Sequence, residues 1–384
     1  MTVLQNFPQS WRRLIFLLPV LVISLILATG LYNGAIPKPT IPKVAFGDSS
    51  SHQKCGDGSA PAALHSVSDL IRAVWASRVL PIDAPSFTTY DGETKHLTKP
   101  LIHTQPLGKR LCILDVDNRR LDEEGHVFSH TPPTWDNLQY QSAGFLSHYL
   151  YAQIHGYEYR FVRAPKYADR APHWGKVVFT KELLKEFDVV VMVDYDAMFT
   201  QPEVPLEWLM NYWNIGPEVL VAMAEDPAGD PNFDIRGKPN VNTGFIIAQA
   251  GDKTQRLFKD WAECPSETRY PGCAEWKDKP FHEQSGFSSY VRYDFLDGLD
   301  IDKNPEYMRF LPCKEANGYP EVKGCGCLGQ FVRHYWGLKA TTNREFARGV
   351  MSALTPLLVE AAFAEQGHVT DLRHKTLDGA EVLG

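Results

Sequence analysis

Val189-Val190-Val191-Met192-Val193-Asp194-Tyr195-Asp196 is the stretch on which the fold turns. An unbroken apolar run reads as a strand buried on both faces. Two carboxylates, two positions apart, follow at its end. An Asp-X-Asp triplet alone recurs by chance in surface loops, but behind such a strand the pair is delivered to the rim of a sheet, where a divalent cation is within reach of a ligand. Side chains of an extended segment alternate with period two, so Asp194 and Asp196 are expected on the same side. Oxygen ligands of this kind suit Mg²⁺ or Mn²⁺.

Working outward, apolar strands alternate with helical patterns, which predicts an α/β domain with a largely parallel sheet. Strands are expected at Leu111 to Val116, Tyr157 to Val162, Phe187 to Val193, Val219 to Met223 and Phe245 to Gln249. Helices are expected at Trp135 to His155, Trp174 to Glu186, about Thr254 to Glu263, Glu283 to Tyr290 and Asn343 to Gly367. Residues 62 to 80 are expected to form one amphipathic helix, and the chain from there to Lys109 is expected to be irregular. There is no internal repeat.

The 384 residues carry 44% hydrophobic and 22% charged side chains, enough for one large globular domain plus appendages. A net charge of -7 argues against a general nucleic-acid binder. No charged residue occurs between Leu14 and Tyr32, a run long enough to cross a hydrocarbon core of ~30 Å. Arg12 and Arg13 precede it and favour a cytoplasmic N-terminus, which makes everything after Tyr32 lumenal. The run exceeds the ~7 to 15 apolar residues of a cleaved signal core, although Ala28-Thr29-Gly30 would suit cleavage. Residues 33 to 58, rich in Pro, Gly, Ser and Lys, read as a tether. Seven cysteines fit a lumenal setting. Cys264 and Cys273 bracket a short loop and are expected to pair; Cys313 is expected to join Cys325 or Cys327. No Asn-X-Ser/Thr sequon occurs.

Other residues supply matching chemistry. His334, after the short apolar run Phe331-Val332, completes an Asp/Asp/His metal set, and Lys339, five residues on across Gly337, reaches a diphosphate as a point charge. Asn242-Thr243-Gly244 offers an amide, a hydroxyl and a closely approachable backbone to sugar hydroxyls. His282-Glu283-Gln284 opens a helix and lines a sugar pocket or caps the helix. Lys176 salt-bridges a carboxylate, contacts the donor or is simply solvated on its helix face. Asp117 or Asn118, ending the first strand, lies near a base or ribose.

Together these pieces resemble glycosyltransferase family 34, which includes α-galactosyltransferases, α-1,6-mannosyltransferases and xyloglucan xylosyltransferases. The matching landmarks are His155-Gly156-Tyr157, His173-Trp174-Gly175-Lys176, Val193 through Phe199, Asn242-Thr243-Gly244, Glu283-Gln284 and Val332 through Lys339, in the family's order over roughly residues 140 to 340. The resemblance implies a GT-A (Rossmann-like) fold behind an N-terminal transmembrane helix, Mn²⁺ (or Mg²⁺), and retaining transfer of a hexose or pentose from a nucleotide-diphospho-sugar donor to a glycan or glycoprotein acceptor. By position it implies Asp194, Asp196 and His334 as metal ligands, Lys339 as a diphosphate contact, and Glu283 and Gln284 as neighbours of the transferred sugar. It further implies a single-pass type II protein of the Golgi or ER membrane with a lumenal catalytic domain, and is compatible with homo-oligomers or hetero-oligomers with other glycosyltransferases. The resulting organisation is a tail at 1–13, an anchor at 14–32, a stem at 33–105, the GT-A domain at 106–345 and a C-terminal helix and tail at 346–384. The chain departs from the family in having His282 where an acidic residue usually stands and Tyr195 where a small residue separates the carboxylates.

Two other functions use the same residues differently. Asp115 and Asp117 also end an apolar strand, as in a haloacid-dehalogenase-type phosphatase, but Arg119 stands where such enzymes usually have Thr or Val. A membrane-tethered sugar-binding module or inactive transferase partner is the non-enzymatic alternative.

Overall fold

The computed structural model describes residues 66–364, apart from 296–297, 320, 322–323 and 325. The expected anchor at 14–32 and the tether up to residue 65 lie outside the described residues, as does Cys325. The first helix, α1 (Val67–Trp75), is shorter than expected because Ser66 caps it, its Oγ accepting from the Asp69 N–H at 3.1 Å. The segment read as irregular contains a small antiparallel hairpin, β1 (Ser86–Thr88) and β2 (Thr94–His96), registered Ser86↔His96. Three-residue strands are too short to show an alternation in sequence.

The α/β pattern follows: β3 (Leu111–Asp117), α2 (Tyr140–His155), β4 (Glu158–Arg163), α3 (Gly175–Leu183), β5 (Val189–Val193) and β6 (Ala197–Phe199). Helix α2 stops where expected because Gly156, at φ 74°, takes the left-handed cap. Next come α4 (Leu206–Tyr212), β7 (Val221–Glu225), β8 (Val241–Gln249), α5 (Asp252–Glu263), α6 (His282–Ser289), β9 (Met308–Leu311), β10 (Val332–His334) and α7 (Thr341–Val359). Of these, β6, α4, β9 and β10 were not expected.

The main sheet has six strands in the order β4-β3-β5-β8-β7-β9. Neighbours are parallel except at β8, which runs antiparallel to both β5 and β7. The expected largely parallel sheet is therefore present with one strand reversed. The link between β7 and β8 contains no helix to make a parallel crossover, and strands joined that way fold back on each other. The reversal sets the amino end of β8 beside the carboxyl ends of β3, β5 and β7.

Both faces of β5 are covered, which explains its unbroken apolar run. Val189, Val191 and Val193 pack with Leu111, Ile113, Phe245 and, on α2, Tyr151. Val190 and Met192 pack on the other side with Cys112, Leu114, Ile246, and the residues Trp174, Val177 and Trp261. Of the inward positions expected on α3, Val177 and the following Leu184 are buried, whereas Val178 and Leu183 are half-buried. Cys264–Cys273 and Cys313–Cys327 are disulfide-bonded.

Candidate active site

After Val193 the chain does not continue extended. The Ala197 N–H donates to the Asp194 carbonyl at 2.7 Å, closing a turn that carries both carboxylates. The turn leads directly into β6, whose antiparallel partner is β10, registered Phe199↔Val332, Met198↔Arg333 and Ala197↔His334. The Tyr335 N–H adds a bond to the Asp196 carbonyl at 2.7 Å. This two-strand ladder, not the main sheet, brings His334 to the carboxylates. Its Nε2 lies 3.3 Å from Asp196 Oδ1 and 3.9 Å from Asp194 Oδ2, and one ligand atom from each of the three residues falls within 4.8 Å of the others.

Two lysines bracket the cluster. Lys339 Nζ is 2.8 Å from Asp196 Oδ2, and Lys176 Nζ is 2.8 Å from Asp194 Oδ2 and 3.2 Å from Glu283 Oε1. Burial opposes ionisation of Asp196, yet His334 and Lys339 hold its carboxyl well below the usual carboxylate range. Burial likewise works against the Lys176 ammonium, but Asp194 and Glu283 raise it above its ordinary value. Lys176 is thus buried and salt-bridged rather than solvated. Two carboxylates and an imidazole form a donor set that fits Mn²⁺ or Mg²⁺. Asp196 Oδ2, ion-paired to Lys339 without an aligned hydrogen bond, is a lone-pair site still open to a cation.

Gly244 shows why the Asn-Thr-Gly segment matters. A Cβ there would lie 2.3 Å from His334 Cε1, so only glycine admits the imidazole. The backbone approach anticipated for a ligand is made by His334 instead. Thr243 Oγ1 donates to Glu283 Oε1 at 2.7 Å. Burial opposes the Glu283 charge, and Lys176, His173 and Thr243 together hold its carboxyl below the ordinary range. Glu283 Oε2 is buried with no hydrogen-bond partner and is the atom of this group left for a ligand.

Asn242 and Gln284 prove less available than expected. Asp226 accepts from Asn242 Nδ2 at 2.7 Å and from Gln284 Nε2 at 2.5 Å, while Gln284 Oε1 accepts from the Thr243 N–H at 3.3 Å. Asn242 Oδ1 accepts from the Gly244 N–H at 2.9 Å and from Asn317 Nδ2 at 2.5 Å. Both amides are consumed in fixing the floor of the site, with Asp226 as the hub. Sequence reading missed Asp226, although it follows the apolar strand β7 just as Asp194 follows β5.

Tyr195 points away from the cation set. Arg119 lies over its ring at 4.6 Å, Phe145 and Tyr140 flank it at 6.0 and 6.1 Å, and its hydroxyl accepts from Lys339 Nζ at 3.0 Å. Gly144 on α2 makes room for the turn, since a Cβ there would meet the Tyr195 carbonyl at 1.8 Å. Asp117 is held by Arg119 through its backbone N–H at 2.8 Å and its guanidinium. Asp115 is fully buried, bonded to His148 Nδ1 at 2.9 Å and to the Tyr159 hydroxyl at 2.8 Å, so it cannot meet a substrate as a phosphatase nucleophile. His282 stacks on His173 at 4.5 Å and 14°, and its backbone and that of Phe281 are left-handed, at φ 36° and 75°.

A cleft of about 960 Å³ joins these residues. Asp117, Lys176, Asp194, Asp196, Asn242, Thr243, Gly244, Glu283, Gln284, His334 and Lys339 all line it, so every site residue expected from the sequence is brought to one cavity.

Residues 171–346 match the family model described as nucleotide-diphospho-sugar transferase. Over this stretch the chain is similar to the nucleotide-diphospho-sugar transferases. The transferase stretch contains β5, β8, β10 and α6, and with them all three cation-set residues. Solved structures to which the chain is similar include a glycosyltransferase involved in the glycosylation of the major capsid of PBCV-1, at 14% identity over 61% of this chain and 98% of that one, TM-score 0.42. Mouse xyloside xylosyltransferase 1 is similar at 9% identity over 60% and 99%, TM-score 0.36. An active-site mutant of LgtC is similar at 11% identity over 63% and 95%, TM-score 0.33. No curated protein gives a significant match to the chain.

Proposed function

We propose that this transferase is a retaining, metal-dependent member of glycosyltransferase family 34, moving a hexose or pentose from a nucleotide-diphospho-sugar to a glycan or glycoprotein acceptor. The observation that carries the reading is the convergence of Asp194, Asp196 and His334 within 4.8 Å in a cleft that also presents Lys339 and Glu283. These three residues would hold Mn²⁺ or Mg²⁺, which when bound supplies positive charge beside the departing diphosphate. Lys339 adds a second positive charge at the same end of the cleft.

Transfer breaks the bond between the anomeric carbon and a diphosphate oxygen and forms one to the acceptor oxygen. In same-face attack the acceptor's proton passes to the leaving diphosphate oxygen. In a double displacement Glu283 Oε2 attacks the anomeric carbon and expels the diphosphate, and the acceptor oxygen then displaces Glu283 while the acceptor's proton passes to the diphosphate. Lys176 and Thr243 hold the other oxygen of Glu283 and keep the group ionised, which suits either role. The Glu283→Gln variant is expected to lose turnover while still binding donor in a calorimetric titration; full activity in that variant removes Glu283 from the reaction.

The same reading makes the chain a single-pass type II protein of the Golgi or ER membrane with its catalytic domain in the lumen. The charge-free run from Leu14 to Tyr32 and the two disulfides support it. A donor panel tests the function. With Mn²⁺, at least one nucleotide-sugar should release nucleoside diphosphate, and chelator should stop it. Release of inorganic phosphate would point to a phosphatase, and release of neither to a binding module.

A further inference from the structure

Helix α7 and the turn after it give a helical segment, Thr341–Phe363, of 23 residues. Its first part is tied to the domain. Thr342 Oγ1 donates to the Tyr140 carbonyl at 2.8 Å, Asn343 Nδ2 to the Leu138 carbonyl at 2.6 Å, and Phe346 meets Trp135 at 6.5 Å. Ala353 is fully buried. Beyond Ala353 no described side chain of the helix is buried: Leu357, Leu358 and Val359 are exposed, and Phe363 is 69% exposed. Helix α1 packs against α7, and its Val67 and Leu70 are exposed too.

We propose that the exposed apolar end of α7 rests on a lipid bilayer, with its last turns lying in the boundary between headgroups and acyl chains. Three observations select lipid over a protein partner. The segment has the length and composition of a membrane span, but the bonds to Tyr140 and Leu138 fix its start to the domain, which leaves lying on the membrane rather than crossing it. From Gly349 to Phe363 the only charged residue is Glu360, so this end of the helix offers a protein partner almost no charge to pair with. Finally, only residues 33–66 separate the proposed anchor from α1, so the chain comes off the membrane into a helix packed against α7. This last observation rests on the anchor reading; the other two do not.

The test is photocrosslinking of the full-length chain in dioleoylphosphatidylcholine vesicles, with p-benzoylphenylalanine placed singly at Leu358, Phe363, Ile235 or Leu21. Mass spectrometry should find a phospholipid adduct at 358 and 363 and none at 235, an exposed apolar position beside the cleft. A crosslink from 358 and 363 to a second copy, to residues 1–65 or 365–384 of the same chain, or to nothing overturns the proposal. Position 21 reports the anchor separately: lipid adducts at 358 without one at 21 remove the anchor and leave α7 on the membrane. Donor hydrolysis by the same preparations keeps the outcome apart from that of the catalytic reading.

Discussion

At the scale of single residues, the site depends on contacts as much as on ligands. Gly244 is the clearest case, because Gly244→Ala would drive a methyl group into the His334 ring. Overpacking of that kind costs roughly 1–3 kcal/mol, and here the imidazole must also leave its place; we expect reduced stability in urea and a loss of Mn²⁺ affinity by calorimetry. Asp226 carries a pH signature. Burial pushes its carboxyl up to about 6 from an ordinary 3.8, against the opposing bonds from Asn242 and Gln284. The folded chain therefore holds that proton more tightly than the unfolded one. The contribution is complete below pH 3.8 and is lost as pH climbs through about 6. The stability of the wild type relative to Asp226→Asn should thus fall by up to roughly 3 kcal/mol over that window, as measured by denaturant titration; a flat difference would contradict it. Asp194, Asp196, His334 and Lys339 were readable because a chemical type and an apolar flank coincide at each. Asn242 and Gln284 were read as facing a ligand, and nothing in a linear sequence says that their amides also bond Asp226.

At the scale of elements, long apolar segments were legible and short ones were not. Strands β3 and β5 and helix α2 fall close to their expected places because many periodic positions and a left-handed glycine at 156 define them. The hairpin at 86–96 and strands β6 and β9, with three or four residues each, offer no period to detect. The reversal of β8 was hidden because direction depends on the path between strands rather than on the strand itself. Disulfide Cys264–Cys273 closes the region between α5 and α6, where Cys273 Sγ lies against Gly286 of the helix bearing Glu283. Cys273→Ser should cost roughly 2–3 kcal/mol, as expected for opening a short loop, and should also lower turnover more than donor affinity if α6 loses its set. Reduction of the wild type should reproduce the change in melting temperature.

At the scale of the whole molecule, the cation set joins the centre of the sheet to the far end of the domain. A ligand that binds only the folded state stabilises by about 2.7 kcal/mol at a hundredfold excess over its dissociation constant. Mn²⁺ should therefore raise the melting temperature of the wild type and leave that of Asp196→Asn unmoved; an equal rise in both would show that the ion binds elsewhere. The β6–β10 ladder has one more consequence, which concerns time. His334 follows Asp196 by 138 positions, so at about 5–20 residues per second a ribosome delivers the last ligand roughly 7–28 s after the second. Until then strands β3 to β8 are present but the cation set is incomplete. A nascent or prematurely terminated chain that ends before β10 could build much of the sheet yet have no third ligand, which separates the acquisition of the fold from the acquisition of the site.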